Sequence, residues 1–233
     1  MSDPERDHIA GAFTFELGKV ETPAIRARML GHLMLIHPEL GNRVADGLGM
    51  TPDKIAPAQP PQDLPESPTL SLIRKAKPTL AGRKLGILAT DGADAGTIAE
   101  LRKAAEAKGM AVALVAPKIG GIVDSSRKKQ VADMALVSSP STLFDAVAIV
   151  PSADEAAALA KHASVQDWIR DAFGHLKWIA VAPEAEALIA ASGIEPDEGV
   201  VTLGSAKATK AFFDGAATHR LWAREPKLRD VNA

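Results

Sequence analysis

Between residues 82 and 222 the chain alternates short apolar runs with stretches whose apolar residues recur at helical spacing. The runs are 84–90 (KLGILAT), 110–116 (MAVALVA), 144–150 (FDAVAIV), 177–182 (KWIAVA) and 199–203. A strand that is apolar throughout has to be covered on both faces, and that is the situation of a strand in a parallel sheet. Between the runs, residues 94–108 place Ile98, Leu101 and Ala105 at helical spacing, and Gly109 supplies a stop. Residues 154–162, 165–173, 183–192 and 205–214 are predicted as further helices, with Gly193 ending the one that starts at Pro183. Right-handed crossovers then build a doubly wound three-layer domain. Residues 117–137 fit a loop and a small hairpin.

The first 50 residues read as short helices. Thr22-Pro23 is an N-cap followed by proline at the first helical position, and Ile25, Met29, Leu33 and Ile36 follow at helical spacing. His37-Pro38 opens another helix that Gly47 and Gly49 can close. Residues 10–15 are apolar without a clear period. Residues 51–81 differ in kind: Pro52, Pro57, Pro60, Pro61, Pro65, Pro68 and Pro78 crowd one segment. That density prevents a regular helix or central strand, so the segment is predicted as an extended linker that wraps a surface, with a disordered spacer as the equal alternative. The expected organisation is a helical segment at 1–50, a Pro-rich linker at 51–81, a three-layer domain at 82–222 and a tail at 223–233.

Composition narrows the chemistry. The 233 residues contain no Cys and no Tyr, which excludes disulfides, cysteine-ligated metal, a thiol nucleophile and a tyrosinate ligand. The formal net charge of −2 gives no electrostatic argument for nucleic acid or an anionic membrane. No apolar run approaches the ~20 residues of a membrane span, and residues 1–6 do not read as a secretory signal. A cytoplasmic location is expected.

Several strings resemble a known family. The stretch 7–33 (DHIAGAFTFELGKVETPAIRARMLGHL) with 43–50 (RVADGLGM) resembles the end of the helical domain in heme catalases of the large-subunit clade, the large hydroperoxidases. The strings 67–73 (SPTLSLI), 81–94 (AGRKLGILATDGAD), 115–121 (VAPKIGG), 139–152 (SPSTLFDAVAIVPS) and 172–180 (AFGHLKWIA) resemble their linker and C-terminal domain. That domain is similar to the class I glutamine amidotransferase-like superfamily, which includes PfpI-type proteases. The resemblance implies a flavodoxin-like sandwich with a parallel sheet. It also implies parent enzymes that are heme-dependent, homotetrameric and convert hydrogen peroxide to water and oxygen. In such catalases the barrel bearing the distal His and Asn and the proximal Tyr precedes the helical domain, and this chain opens within the helical domain. No cofactor is therefore expected in this chain itself, and heme is expected only in the full-length family. His8, His32, His37, His162, His175 and His219 show no spacing that indicates a heme or metal site.

In the protease-like relatives a Cys sits on a sharp strand-to-helix turn at a helix N-terminus, which lowers its pKa. The corresponding turn here is Ala180-Val181-Ala182-Pro183-Glu184, where the candidate positions are aliphatic. Thr90-Asp91-Gly92-Ala93-Asp94 ends the first strand at the usual ligand edge of an open α/β sheet. A tight turn at Asp91-Gly92 with a helix cap at Asp94 accounts for it better than a ligand loop does. Gly120-Gly121 lacks a following helix to make a phosphate cradle. Arg127-Lys128-Lys129 reads as a solvated loop. His162 and His175, and Glu184 with Glu186, do not form a pair by spacing. Ser138, Ser139, Ser141 and Ser152 flank the wrong strand for a nucleophile.

The expected function is that of a non-catalytic accessory domain of a large-subunit catalase, acting in stability, assembly or channel access. Expected partners are a catalase core, or a second copy through the N-terminal helices to give a homo-oligomer; neither nucleic acid nor membrane is expected. A stand-alone holdase-like binding module is the alternative, and a PfpI-like hydrolase ranks last.

Overall fold

A computed structural model describes residues 1–60, 64, 65 and 67–229. The chain forms two compact units, Met1–Ala76 with Glu225–Ala233, and Lys77–Arg224. Pro61, and the last four residues of the expected tail, lie outside the described residues.

The first unit is helical. α1 (Asp3–Gly18) absorbs the apolar stretch 10–15. It starts with a capping box in which Ser2 and Glu5 satisfy each other's free amides. α2 (Pro23–Ile36) and α3 (Pro38–Gly47) begin at the two expected prolines, and Gly49 adopts a left-handed conformation just past α3. Ala10, Leu17, Leu30, Leu33, Leu40, Val44 and Ala45 form their core. The periodicity found the inner stripe of α2 in part: Leu33 is buried and Met29 packs against the core as expected, but Ile25 and Ile36 are exposed and Leu30 and Met34 are buried. α2 is apolar around most of its circumference, so spacing alone does not select its inner face. Phe15, Leu70 and Leu72 are also exposed in this unit.

The segment from 51 onward is mostly irregular, with single helical turns at Pro52–Lys54 and Pro68–Leu70 and a short α4 (Leu72–Lys75). It is tied down by polar contacts. The Glu5 carboxylate accepts from the Ser71 hydroxyl at 2.9 Å and from the Ile73 amide at 3.1 Å. Burial alone would raise its pKa, but these bonds, with those from Ser2, outweigh it and hold the carboxyl at about 2.

The second unit is a parallel sheet between helices. Its strands are β1 (Lys84–Ala89), β2 (Ala111–Ala116), β5 (Met134–Ala135), β6 (Ala146–Val150), β7 (Ile179–Val181) and β8 (Val200–Thr202). Their order is β5-β2-β1-β6-β7-β8, every pair parallel. Without β5 this is the flavodoxin-like strand order. A separate hairpin pairs β3 (Ile122–Val123) with β4 (Lys129–Gln130). The segment 117–137 thus holds the expected hairpin and, in addition, a two-residue strand that extends the main sheet.

Side chains alternate across the sheet. Leu85, Ile87 and Ala89 of β1 face α5 (Ala95–Glu106) and α9 (Ala206–Ala216), where Ile98, Leu101, Phe212 and Phe213 complete one core. Gly86 faces the other way. A Cβ there would lie 2.6 Å from the Phe144 ring, whose centroid is 6.2 Å from that of Trp168 on α7 (Ala163–Gly174). α8 (Glu186–Ser192) packs with α7 and with α6 (Ala153–Leu159).

The expected tail is structured where it is described. A helical turn at Trp222–Arg224 leads into α10 (Glu225–Arg229), and α10 packs on α1 in the first unit. Arg224 ends the second unit as a fully buried cation. Its Nε and Nη2 donate to Asp197 at 2.7 and 2.8 Å, and its Nη1 donates to the Lys177 and Phe173 carbonyls.

Candidate functional site

In a doubly wound sheet the topological switch point, at the carboxyl ends of the strands where the chain reverses its winding, is the usual ligand position. Here it lies between β1 and β6. The loop after β1 and the start of α6 close on each other: the Ser152 amide donates to Thr90 Oγ1 at 2.9 Å, and a Cβ on Gly92 would lie 3.1 Å from Ser152 Cβ. The β3–β4 hairpin closes it further. Val123 donates to Asp91 Oδ1 at 2.7 Å and accepts from the Gly92 amide at 2.8 Å, while Ser125 bonds Ala93 and Ala95. Asp94 caps α5 through the Thr97 amide at 2.6 Å. The acids of residues 90–94 are therefore engaged in turn and cap bonds. Gly121 allows the hairpin to lie flat: its φ is +88°, and a Cβ there would meet the Gln130 carbonyl at 1.9 Å.

Asp94 also lines a cavity of about 380 Å³ between the first turns of α5 and α9, together with Thr97, Glu100, Leu203, Ser205 and Thr209. Ser205 Oγ is occupied as a cap, accepting from the Ala208 amide at 3.2 Å.

The turn that corresponds to a nucleophile elbow is relaxed. Ala182 has φ −65° and ψ 148°, then a helical turn runs over Pro183–Ala185. Among the described residues, the non-glycine positions with positive φ are Arg127, Leu176 and His219, none of them in this turn. A nucleophile elbow is a strained turn that lifts a reactive side chain clear of the sheet. Here the turn is unstrained and Ala182 is buried. The serines flanking β6 have structural roles: Ser138 and Ser139 donate to the Ala135 carbonyl, and Ser152 caps α6. Ser141 Oγ is buried without a partner.

The histidines are scattered. His8 lies 3.4 Å from Glu225, His175 Nδ1 lies 2.8 Å from the Asp171 carbonyl, and His219 lies 3.3 Å from Asp145. His32 and His162 are exposed, and His37 is the N-cap residue of α3, its buried Nδ1 without a hydrogen-bond partner. No three His, Cys, Asp or Glu side chains among the described residues could hold one metal ion. Of the side chains that serve as heme ligands, Tyr and Cys are missing from the sequence.

A buried titratable group that spacing could not reveal is Lys177. Its Nζ donates to the Ser141 carbonyl at 2.6 Å and to the Phe144 carbonyl. Burial and then the charge of Arg220 push its pKa from 10.5 down to about 8, against the opposing pull of Asp145 and Asp171. Between pH 8 and pH 10.5 the unfolded chain holds this proton more firmly than the folded one. Stability due to this group therefore rises with pH through that window, by up to about 1.4 kcal/mol per pH unit. Urea unfolding between pH 7 and pH 10 is expected to show this rise, and Lys177→Met is expected to remove it. An identical slope in the variant would count against the assignment.

Among the described residues no helix is long and apolar enough to cross a membrane. The family described as the C-terminal domain found in long catalases matches residues 81–226, and one described as catalase-related immune-responsive matches residues 1–48. Catalase C of Rhizobium meliloti is 44% identical over 98% of this chain and 33% of its own length. Catalase HPII of Pseudomonas aeruginosa is 32% identical over 100% of this chain and 33% of its own length. Catalase-B of Dictyostelium discoideum is 28% identical over 100% of this chain and 34% of its own length. The chain thus spans about a third of the length of these relatives. With a flavodoxin-like sheet, an aliphatic residue at the elbow and that match over most of its length, the chain belongs to the long-catalase family, as a member of its C-terminal domain.

Proposed function

We propose that this chain is a non-catalytic accessory region of a long catalase, acting on the stability, assembly or channel access of the enzyme. The observation that carries the reading is the carboxyl edge of the sheet. Its switch point is closed by the chain's own hydrogen bonds, and its elbow presents buried Ala182. An aliphatic carbon can neither attack a carbonyl nor bind a metal, so the superfamily's hydrolytic chemistry has no carrier at that turn. Peroxide disproportionation and heme then belong to the remaining two thirds of a relative-sized polypeptide. Phe15, Ile25 and Ile36, exposed on the helical unit, support docking of that unit on a catalase core or on a second copy.

The test uses the Rhizobium meliloti relative with and without the third that this chain matches. The shortened enzyme is expected to inactivate faster on heating or to assemble incompletely. This chain alone, supplied with hemin, is expected to show no Soret band and no oxygen release above that of free hemin. Peroxide turnover by the chain alone would falsify the proposal.

A further inference from the structure

Among the described residues, the opposite, amino-terminal edge of the sheet collects more cations than carboxylates. Arg83 and Lys84 lead into β1, Lys177 precedes β7, and Arg220 follows α9. Their hydrogen bonds go to neutral carbonyls. Arg83 Nη1 donates to Ala216 and Ala217 at 3.0 and 3.3 Å, Arg220 Nη1 donates to His175 at 3.1 Å, and Lys177 Nζ donates to Ser141 and Phe144. Asp145, ahead of β6, is the acid at their centre. Its Oδ2 accepts the Lys84 amide at 2.8 Å, and its Oδ1 lies 3.3 Å from His219 Nε2. Asp171 on α7 is the other carboxylate near Lys177.

The backbone brings His219 into this group at a cost. His219 has φ +75° and Leu176 beside it has φ +59°, and the two turns are joined by the Leu221 amide donating to the Leu176 carbonyl at 2.8 Å. Left-handed conformations at non-glycine residues are costly and persist where surrounding structure enforces them. The result is an imidazole whose side chain is 44% exposed, 3.3 Å from the Asp145 carboxylate and next in the chain to Arg220. Burial, then Arg83 and Arg220, push its pKa below the usual value, while Asp145 opposes them. The neutral imidazole is thus favoured more than in a free histidine, and Asp145 offsets only part of the arginines' charge.

We propose that Arg83, His219 and Arg220, with Asp145 against His219, form a binding site for a small multivalent oxyanion of the phosphate class, free or as a phosphomonoester. Guanidinium groups match such an anion with paired donors. A bound dianion reverses the local field, so His219 takes up a proton and becomes a third cationic donor. Asp145 repels any anion that enters, in proportion to its charge, and so limits the affinity.

The experiment is a histidine side-chain NMR titration of the 233-residue chain. Inorganic phosphate and glycerol phosphate are added in separate arms, against chloride at matched ionic strength. His219 is expected to shift saturably and to titrate at higher pH with either ligand, while the other five histidines follow ionic strength only. The arm that saturates at lower concentration identifies the source of the phosphate group. Arg220→Gln and Arg83→Lys are expected to weaken the response at least threefold, with amide spectra verifying the fold, and Asp145→Asn is expected to strengthen it. A His219 response that is linear, equal in chloride, or shared by all six histidines overturns the proposal, as does an unchanged response in both arginine variants.

Discussion

Replacing Arg224 with methionine is expected to cost about 3–5 kcal/mol of stability, the range for removing one partner of a buried ion pair. Arg224 is fully buried, and its guanidinium lies 4.0 Å from the centre of the Phe173 ring. Each polar edge is used: two nitrogens hold Asp197, and the third spans the Phe173 and Lys177 carbonyls. Methionine fills much of the volume but removes both guanidinium donors from the Asp197 carboxylate, which is 7% exposed. Two buried carbonyls also lose a donor. Gly199 shows how tight the site is, since a Cβ there would lie 2.5 Å from Arg224 Nη2. Thermal unfolding is expected to drop by roughly 6–20 °C on this cost. Arg224→Met with Asp197→Asn is expected to recover part of the loss, because the buried charge that lost the guanidinium donors is then neutral. A loss under 1 kcal/mol in the single variant would show that the pair contributes little.

Phe144→Ala is expected to cost a similar amount, about 3–5 kcal/mol. The ring is 2% exposed, lies over Gly86 in β1 and leans on Trp168, with Lys84 Nζ 5.4 Å from its centre. Removing it opens a cavity that β1 cannot fill, because the facing residue is a glycine in a strand paired on both sides. Gly86→Val alone is expected to destabilise by overpacking against the ring, by about 1–3 kcal/mol. Combined with Phe144→Ala it should place atoms in the vacated space. The double variant is therefore expected to be more stable than the sum of the two losses predicts, as read from urea midpoints. Simple additivity would mean that the two sites do not share this space.

Reading these elements from residues alone succeeded where one segment contains its own signal. β1, β2 and β6 are continuous apolar runs, and Asp94, Gly109 and Gly193 mark helix ends by local geometry. The capping alternative for Asp94 was legible because the cap bond spans three residues. Reading failed where a residue's role depends on a distant partner. β5 is two residues long and has no periodicity of its own; it is a strand because Val115 and Ala116 pair with it. Lys177 and Arg224 carry charges that ordinarily mark a surface. Their burial follows from carbonyls and carboxylates tens of residues away, at separations of 27 to 51. The inner stripe of α2 was legible at Met29 and Leu33 but not at its ends, because an apolar helix fits more than one orientation until its neighbours are placed.

The alternation of apolar runs and helices in 82–222 determined by itself a parallel, doubly wound sheet, since a strand apolar on both sides has one stable environment. The residues at 180–184 likewise determined that the turn after β7 carries aliphatic side chains followed by Pro183 and Glu184. The tertiary structure alone decided that the hairpin bonds across the switch point, that Arg224 is buried at the end of the second unit, and that His219 lies 3.3 Å from Asp145. These arrangements rest on hydrogen bonds and charges that meet only after the strands are stacked. Patterns of neighbouring residues encode the elements; contacts between distant residues decide what the edges of the sheet become.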